Sequence, residues 1–511
     1  MSVTSKIFRL LSSNILEALD QNRKDPERFQ NNWFGNITSH GEKSSFGKEH
    51  GIHAGMSYES YAGRVPLRSY DMFESYIERV RRGEQDVLWD TPVAWFAKSS
   101  GTSSAKSKFI PVTSESLNTC HYAGMRKMLA TYIRNTPSSG IFDGDALTLG
   151  GSVTPDELGS GTTKYGDLSA ILLSNSPFWV ELRRVPDKKT ALIADFEEKV
   201  VHICRNAHKY NVTNFSGVPS WNLVLMKRIL EFTGKTDLHE VWPNLELFMH
   251  GGINFEPYRR EYRNIISGNM NYMENYNASE GYFAFQDEPG DNSMLLLTDN
   301  GIFYEFIPLD KLEKAINGSF TSFETIGTIR TGINYALVIT TNGGLWRYLI
   351  GDSIMFTSLK PHKFIITGRT QLYINAFGEE LMIHNAEKAL SEACRIHDAS
   401  VSNYTVAPVF MADGNKGYHQ WLIEFSAEPY NLAEFTETLD NELRKANSDY
   451  DAKRHNNTTM QMLQIVPVKK GVFYKWMLSR GKLGGQNKVP RLSNTRTYVT
   501  ELLEINNQEN E

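Results

Sequence analysis

The sequence predicts an α/β protein with a large N-terminal part of mixed, largely parallel sheet, an antiparallel section after it, and a small α+β part at the C-terminus. Three observations carry this. Short apolar runs at 212–215 and 245–249 each end in a glycine turn and lead into a helical stretch. Two later pairs of strand-like runs flank Asp299-Asn300-Gly301 and Asn342-Gly343-Gly344. After Gly368 the order becomes helix, strand, strand, helix, strand.

Each element has a local reason. Ile7, Leu10, Leu11, Ile15, Leu16 and Leu19 recur at helical spacing among polar residues. They make an amphipathic helix, not the continuous apolar stretch of a signal peptide. Residues 146–153 form an apolar run ending in glycines and read as a strand. Residues 212–215 read as a buried strand, Ser216-Gly217-Val218-Pro219-Ser220 as its turn, and 221–232 as a helix. Residues 245–249 repeat that unit, with Gly251-Gly252 as the turn and Pro257 in the first turn of the next helix. In such sheets ligands sit at the carboxyl ends of the strands. Residues 294–298 with 302–307, and 336–341 with 345–350, read as hairpins. A helix over 384–395 follows. Strands over 401–411 and 419–426 come next, joined by Asp413-Gly414-Asn415. A long helix over 432–446 and a strand over 460–468 complete the pattern. The last unit has the size of a domain, which sets a boundary at Thr367–Thr370 and divides the chain into 1–367 and 368–511.

The totals exclude several classes of protein. The 511 residues carry 54 basic and 59 acidic side chains, a net charge of −5. A nucleic-acid binder would show a basic excess, whereas this balance still accommodates a local basic pocket for a phosphorylated ligand. A 40% hydrophobic content suits a packed core rather than disorder. Cys120, Cys204 and Cys394 are odd in number, far apart and without metal-ligand spacing, so neither a disulfide framework nor a zinc site is indicated. No run approaches the roughly 18 apolar residues of a membrane span. The expectation is a soluble, cytoplasmic protein whose partners are small molecules, with no nucleic acid and no membrane.

The most informative stretch is 96–111. Ser99, Ser100, Thr102, Ser103 and Ser104 surround Gly101, with Lys106 and Lys108 just beyond. Such a loop can wrap polyphosphate with hydroxyls, backbone N–H groups and ammonium charge. It is not a Walker A loop, because no Gly-Lys-Ser/Thr closes the spacing. By composition alone it reads equally as a solvated Ser-rich loop.

Three further segments follow in order: Tyr276-Asn277-Ala278-Ser279-Glu280-Gly281, Tyr348-Leu349-Ile350-Gly351-Asp352, and 368–381, which opens Gly368-Arg369-Thr370-Gln371 and contains Gly378-Glu379-Glu380. This order resembles the adenylate-forming superfamily of acyl-CoA synthetases, luciferases and peptide-synthetase adenylation domains. More closely it is similar to the auxin-responsive-promoter family of acyl-acid amido synthetases, as a bacterial-type member. The matching motifs are Ser-Ser-Gly-Thr-Ser at 99–103 with Lys108 and Pro111, Tyr-x-x-Ser-Glu at 276–280, Tyr-x-x-Gly-Asp at 348–352, and Gln-x-Lys-x-Pro-Arg at 486–491. The resemblance spans most of the chain. Ala105 stands where the family usually has a glycine, Leu349 replaces an arginine common in plant members, and Asn487 replaces a tyrosine.

The resemblance implies a large adenylate-forming N-terminal domain with mixed parallel sheets and a β-barrel-like section, plus a mobile small domain. It implies a ligase that joins a carboxylate to the α-phosphorus of ATP, expels pyrophosphate, and passes the acyl group to an amine, most simply that of an amino acid. Two anions must meet, so cations and donors are needed, and Mg²⁺ is the natural bridging ion. Glu280 is its expected ligand; the plain alternative is a surface turn glutamate. Ser99, Ser100, Gly101, Thr102, Ser103 and Lys108 would hold phosphate, with Ser279 beside them. Tyr276 would stack on adenine or else sit in the core. Gly251 and Gly252 would let the backbone approach a flat ligand, or simply close a strand end. Asp352 would accept the ribose hydroxyls or close an Asx turn. Gly368, Arg369 and Gly378 read as a hinge, with Arg369 also at the nucleotide. Rotation about it would bring Lys488 to the reaction, Lys482 being the other candidate; either could instead be an exposed loop charge. Residues 218–221 and the helix near His121–Met128 would wall the acid, unless their aromatic and methionine side chains are core. A thioester from the same adenylate, or a nucleotide- or acid-binding protein without turnover, are the competing readings.

Overall fold

The computed structural model describes residues 3–99, 108–158, 163–252, 255–370, 373–374, 376–377, 379, 381–409, 417–454, 460–480 and 489–508. Contacts divide the chain into two compact units. The first is Met1–Val218 with Leu225–Gly252 and Gly268–Ile365; the second is Pro219–Val224 with Ile253–Ser267 and Ile366–Glu511.

One eleven-stranded sheet organises the first unit. From one edge its order is Arg184–Val185, Asp145–Thr148, Val212–Gly217, Leu247–Gly251 and Asn271–Ala278, all parallel. Asn271–Ala278 then pairs antiparallel with Gly281–Phe285. The sheet continues through Met294–Leu296, His362–Arg369, Tyr348–Leu359, Asn334–Thr341 and Ile302–Pro308. The central parallel strands are covered on both faces, so they read as apolar runs rather than alternations. Leu247 and Phe248 are fully buried, and Phe215 stacks on Phe248 at 4.3 Å. A helix follows each glycine turn: Glu256–Ile265 carries Pro257 in its first turn, as expected, whereas the helix expected over 221–232 already begins at Pro219, a residue expected in the turn.

Two expectations need correction. The run 146–153 is two elements in different sheets: Asp145–Thr148 in the large sheet and Val153–Pro155 in a second, four-stranded one. The chain turns sharply between them, where a Cβ on Gly151 would overlap the Asp167 carboxylate. Of the two hairpin signals, Asn342-Gly343-Gly344 does join antiparallel neighbours, Asn334–Thr341 and Tyr348–Leu359. Asp299-Asn300-Gly301 does not. Met294–Leu296 pairs with Gly281–Phe285 and His362–Arg369, while Ile302–Pro308 lies at the far edge beside Asn334–Thr341. Tertiary partners hold this turn instead: the Lys127 ammonium donates to Asp299 Oδ1 at 2.6 Å and Asn300 Oδ1 at 2.7 Å.

The four-stranded sheet orders Lys108–Val112, Trp95–Ser99, Lys164–Gly166 and Val153–Pro155. Its first two strands are antiparallel, with Ser99 opposite Lys108, so the two ends of the Ser-rich segment face each other in register.

In the second unit a three-stranded sheet of Ser400–Val409, Tyr418–Ala427 and Gln464–Pro467 is covered on both faces. Alternation along the strands assigns the sides. Val406, Trp421 and Ile423 pack with helices Ile383–Ile396 and Leu432–Ala446, whereas Ala407 and Leu422 pack with Val472–Ser479 and Thr497–Gln508. The last two helices have no counterpart in the sequence reading. The turn Asp413-Gly414-Asn415 lies outside the described residues. Among the described residues no helix is long and apolar enough to cross a membrane.

Candidate functional site

Candidate residues of the first unit collect where its parallel strands end, the crevice side of such sheets. Register sets Gly217 beside His250 and Gly251 beside Asn275. A Cβ on Gly251 would overlap the Asn275 carbonyl oxygen, and Gly252 has φ +82°. Both glycines are therefore required by the backbone before any ligand is considered. The Asn275 side-chain amide donates to the His250 carbonyl at 3.0 Å and ties these two strand ends together.

Strand Asn271–Ala278 runs past this point into a turn at Ser279 and Glu280, then returns as Gly281–Phe285. Ser279 is buried and Glu280 half-buried. Glu280 Oε1 accepts from the Tyr348 hydroxyl at 3.5 Å, and the Lys108 ammonium donates to that hydroxyl at 3.4 Å. The Lys108 charge also lies 5.7 Å from the centre of the Tyr70 ring. Three of the motif segments thus meet through one tyrosine. Both hydrogen bonds are long.

Asp352 owes its position to an irregularity in Tyr348–Leu359. Ala336 pairs with Ser353 and Val338 with Leu349, so Ile350, Gly351 and Asp352 stand opposite the single residue Leu337. Gly351 at φ +90° makes the bend possible. Asp352 is 8% exposed, and the Tyr276 hydroxyl donates to its Oδ2. Tyr276 is itself 7% exposed, with its ring 4.7 Å from Phe283 and 6.3 Å from Phe364. In this arrangement Tyr276 orients the aspartate.

Two residues make contacts that the sequence reading did not assign, His121 having been named only as the start of the helix expected to wall the acid. Tyr348 opens its motif but was not singled out; its link between Lys108 and Glu280 depends on a fold that brings together positions 240 residues apart. His121 ends a π-helical turn, Ser116–His121, that runs into helix Tyr122–Asn135. Its Nδ1 lies 2.9 Å from Asn277 Oδ1, an arrangement that needs the proton on Nδ1. Burial pushes its imidazole down to about 4, so it is neutral at physiological pH. The adjacent Cys120 thiol is pushed up to about 12 by burial, which removes it as a nucleophile. Nothing in a lone histidine among apolar residues signals either contact. The helix expected to wall the acid buries Met128, whose sulfur accepts from the Tyr282 hydroxyl at 3.0 Å.

A magnesium ion suits this donor set. Among the described residues no three His, Cys, Asp or Glu side chains gather as a closed metal cage. Glu280 offers one half-buried carboxylate, and Mg²⁺ favours one or two carboxylates plus phosphate oxygens and water.

In the second unit, Arg369 ends strand His362–Arg369, next to Gly368 at φ +150°. The stretch after Lys488 is anchored there: Thr405 donates to the Pro490 carbonyl at 2.7 Å, and Arg491 donates to the Tyr404 carbonyl at 3.0 Å and the Tyr258 hydroxyl at 2.8 Å. Ser100, Gly101, Thr102, Ser103, Ala105, Gly378, Lys482 and Lys488 lie outside the described residues.

Comparison with known proteins adds an independent result. Residues 15–270 match the GH3 family N-terminal domain, 295–369 the GH3 family central domain and 384–497 the GH3 family C-terminal domain. The chain is similar to the indole-3-acetic acid-amido synthetase GH3.8 of Oryza sativa subsp. indica, 23% identical over 96% of this chain and 92% of the relative. It is also similar to the jasmonoyl-L-amino acid synthetase JAR4 of Nicotiana attenuata, 22% identical over 99% and 98% of the two chains. Both are plant proteins and give no support to a bacterial type. Among solved structures, the AtGH3.15 acyl acid amido synthetase in complex with 2,4-DB superposes with a TM-score of 0.79 at 18% identity, covering 97% of this chain and 96% of the other.

Proposed function

The chain belongs to the GH3 family, and from that premise we propose that it is an ATP-dependent acyl acid amido synthetase. A carboxylate oxygen of a small acid attacks the α-phosphorus of ATP and pyrophosphate leaves. The nitrogen of an amino acid then attacks the acyl carbonyl, loses a proton, and AMP leaves. The relatives' names, amido synthetases acting on indole-3-acetic acid or jasmonate, support the reaction class without fixing this chain's acid.

The observation that carries the reading is the meeting of Lys108, Tyr348 and Glu280 beside the Tyr276–Asp352 pair at the carboxyl edge of the sheet. In this proposal Lys108, with Ser99 and the residues up to Ser103, holds the phosphates. Asp352, oriented by Tyr276, accepts from the ribose hydroxyls, and Gly251 and Gly252 border the base. Ser279 and Glu280 face the triphosphate, Glu280 as the ligand of Mg²⁺, which when bound neutralises charge on the phosphate oxygens. Residues 368–511 form a small domain that moves about the Gly368–Arg369 segment and presents Lys488 to the developing charge. The chain's three cysteines, Cys120, Cys204 and Cys394, are free, which suits a reducing cytoplasm.

The test is acid-dependent exchange of labelled pyrophosphate into ATP, screened over aryl and alkyl carboxylic acids. Exchange is expected in the wild type and lost in Glu280→Ala and Asp352→Ala. Normal exchange in both folded variants would refute the site. Product mass spectrometry with each amino acid, and separately with CoA, then decides between amide and thioester.

A further inference from the structure

The π-helical turn Ser116–His121 grips the Glu280 turn from both limbs. Asn277 and Tyr282 stand directly opposite each other on the strands that enter and leave that turn, with Ala278 opposite Gly281 inside them. Consecutive residues of the π-turn bind this pair. His121 Nδ1 meets Asn277 Oδ1 at 2.9 Å, and Cys120 Sγ accepts from the Tyr282 backbone N–H at 3.1 Å. The fit is close: a Cβ on Gly281 would come within 3.4 Å of Cys120 Sγ and 2.6 Å of Ile302.

The grip is itself braced. The Asn342 side chain donates to Thr119 Oγ1 at 2.8 Å, and the Asn300 side chain donates to the Cys120 carbonyl at 3.3 Å. Thr113 Oγ1 donates to the Asn342 carbonyl at 2.9 Å at the start of the segment. A π-turn is rare and clusters at functional sites. Here the wider turn sets two successive residues against one strand pair.

We infer that His121 is a positioning residue: through Asn277 it fixes the turn that presents Glu280. This rests on the reading of Glu280 as the magnesium ligand. In this role His121 acts through Asn277 on the glutamate's turn.

The test is calorimetric ATP binding to the full chain, with Mg²⁺ and with EDTA. His121→Leu removes the hydrogen bond at similar volume and leaves Asn277 unpartnered. Mg²⁺-dependent binding is expected to weaken roughly tenfold, the factor equivalent to about 1.4 kcal/mol, with binding in EDTA unchanged. His121→Gln, which keeps a donor, restores it. In a Glu280→Gln background His121→Leu adds nothing, because the two act as a unit. Should His121→Leu fail to fold, Asn277→Leu removes the same bond from the other side. Equal loss with and without Mg²⁺, no loss at all, or a further loss in the Glu280→Gln background overturns the inference. If Glu280→Gln alone leaves the Mg²⁺ effect intact, the reading of Glu280 falls and the inference with it.

Discussion

Asp299-Asn300-Gly301 and Asn342-Gly343-Gly344 carry nearly the same local signal, yet the first connects strands that never pair and the second closes a true hairpin. The two turns meet. The Asn342 backbone N–H donates to the Gly301 carbonyl at 2.9 Å. Each also reaches the π-turn, Asn300 through the Cys120 carbonyl and Asn342 through Thr119. The hairpin turn takes its shape from its own strands. The other turn takes its shape from a lysine on a distant helix. A turn signal in sequence therefore reports that the chain bends, while the identity of the flanking pair is decided by packing far away.

The sharpest way to break this contrast is Lys127→Met. Lys127 is buried against Asp299 and Asn300. Removing the ammonium leaves a mostly buried carboxylate without its partner, a change expected to destabilise the first unit by about 3 kcal/mol. Thr119→Val takes the matching support from the hairpin turn, the neutral bond from Asn342, together with the exposed bond that the Thr119 hydroxyl donates to the Glu115 carbonyl, for about 1 kcal/mol. Thermal unfolding of both variants checks the order. Equal losses would mean that the two turns are held alike.

The same division governs what could be read from the amino acids. Strand–glycine–helix units are local, so the units at 212–232 and 245–257 were legible, Pro257 in its first turn included, although the first helix starts at Pro219, two residues earlier than its period indicates. The helix Leu432–Ala446 also emerged intact from its period. Non-local features did not emerge. The sorting of Asp145–Thr148 and Val153–Pro155 into different sheets depends on partners such as Val212 and Lys164. For the candidate site, the resemblance of the motifs proposed Glu280, Asp352 and Lys108. Their linkage through Tyr348, the hold of Tyr276 on Asp352, and the His121–Asn277 bond are contacts between segments 68 to 240 residues apart, which no spacing encodes.

A second prediction uses pH on the π-turn that both turns brace. Burial lowers the His121 imidazole from its ordinary value to about 4. Between that value and about 6.5 the unfolded chain binds a proton that the folded chain refuses, so stability falls as pH falls. For this one group the loss amounts to about 2 kcal/mol by pH 5. His362 and His384 are lowered by burial as well and add slopes of the same sign. The informative quantity is therefore the difference between wild type and His121→Leu. The variant should lose less stability between pH 7 and pH 5, as measured by urea unfolding at each pH. Parallel pH profiles would show that His121 is not held neutral by the fold.

The finest discrimination comes from one methyl group. Gly301 sits at φ +75°, and a Cβ there would overlap the Asn342 amide that donates to Thr119. Gly301→Ala forces a left-handed alanine and pushes that amide away, an expected loss of between about 1 and 2 kcal/mol. At Gly343 the nearest atom to a new Cβ is the Pro111 carbonyl oxygen at 3.2 Å, reached without a left-handed backbone. That neighbour must yield by only a few tenths of an ångström, so Gly343→Ala should cost less than about 1 kcal/mol. The contrast extends beyond stability. Gly301→Ala disturbs a brace of the Glu280 turn and should weaken Mg²⁺-dependent ATP binding in the same direction as His121→Leu, though by less. Gly343→Ala, which leaves the Asn342 side chain in place, should not. If both alanines weaken that binding equally, the two turns act on the site as one block, and the difference in their origins has no consequence for function.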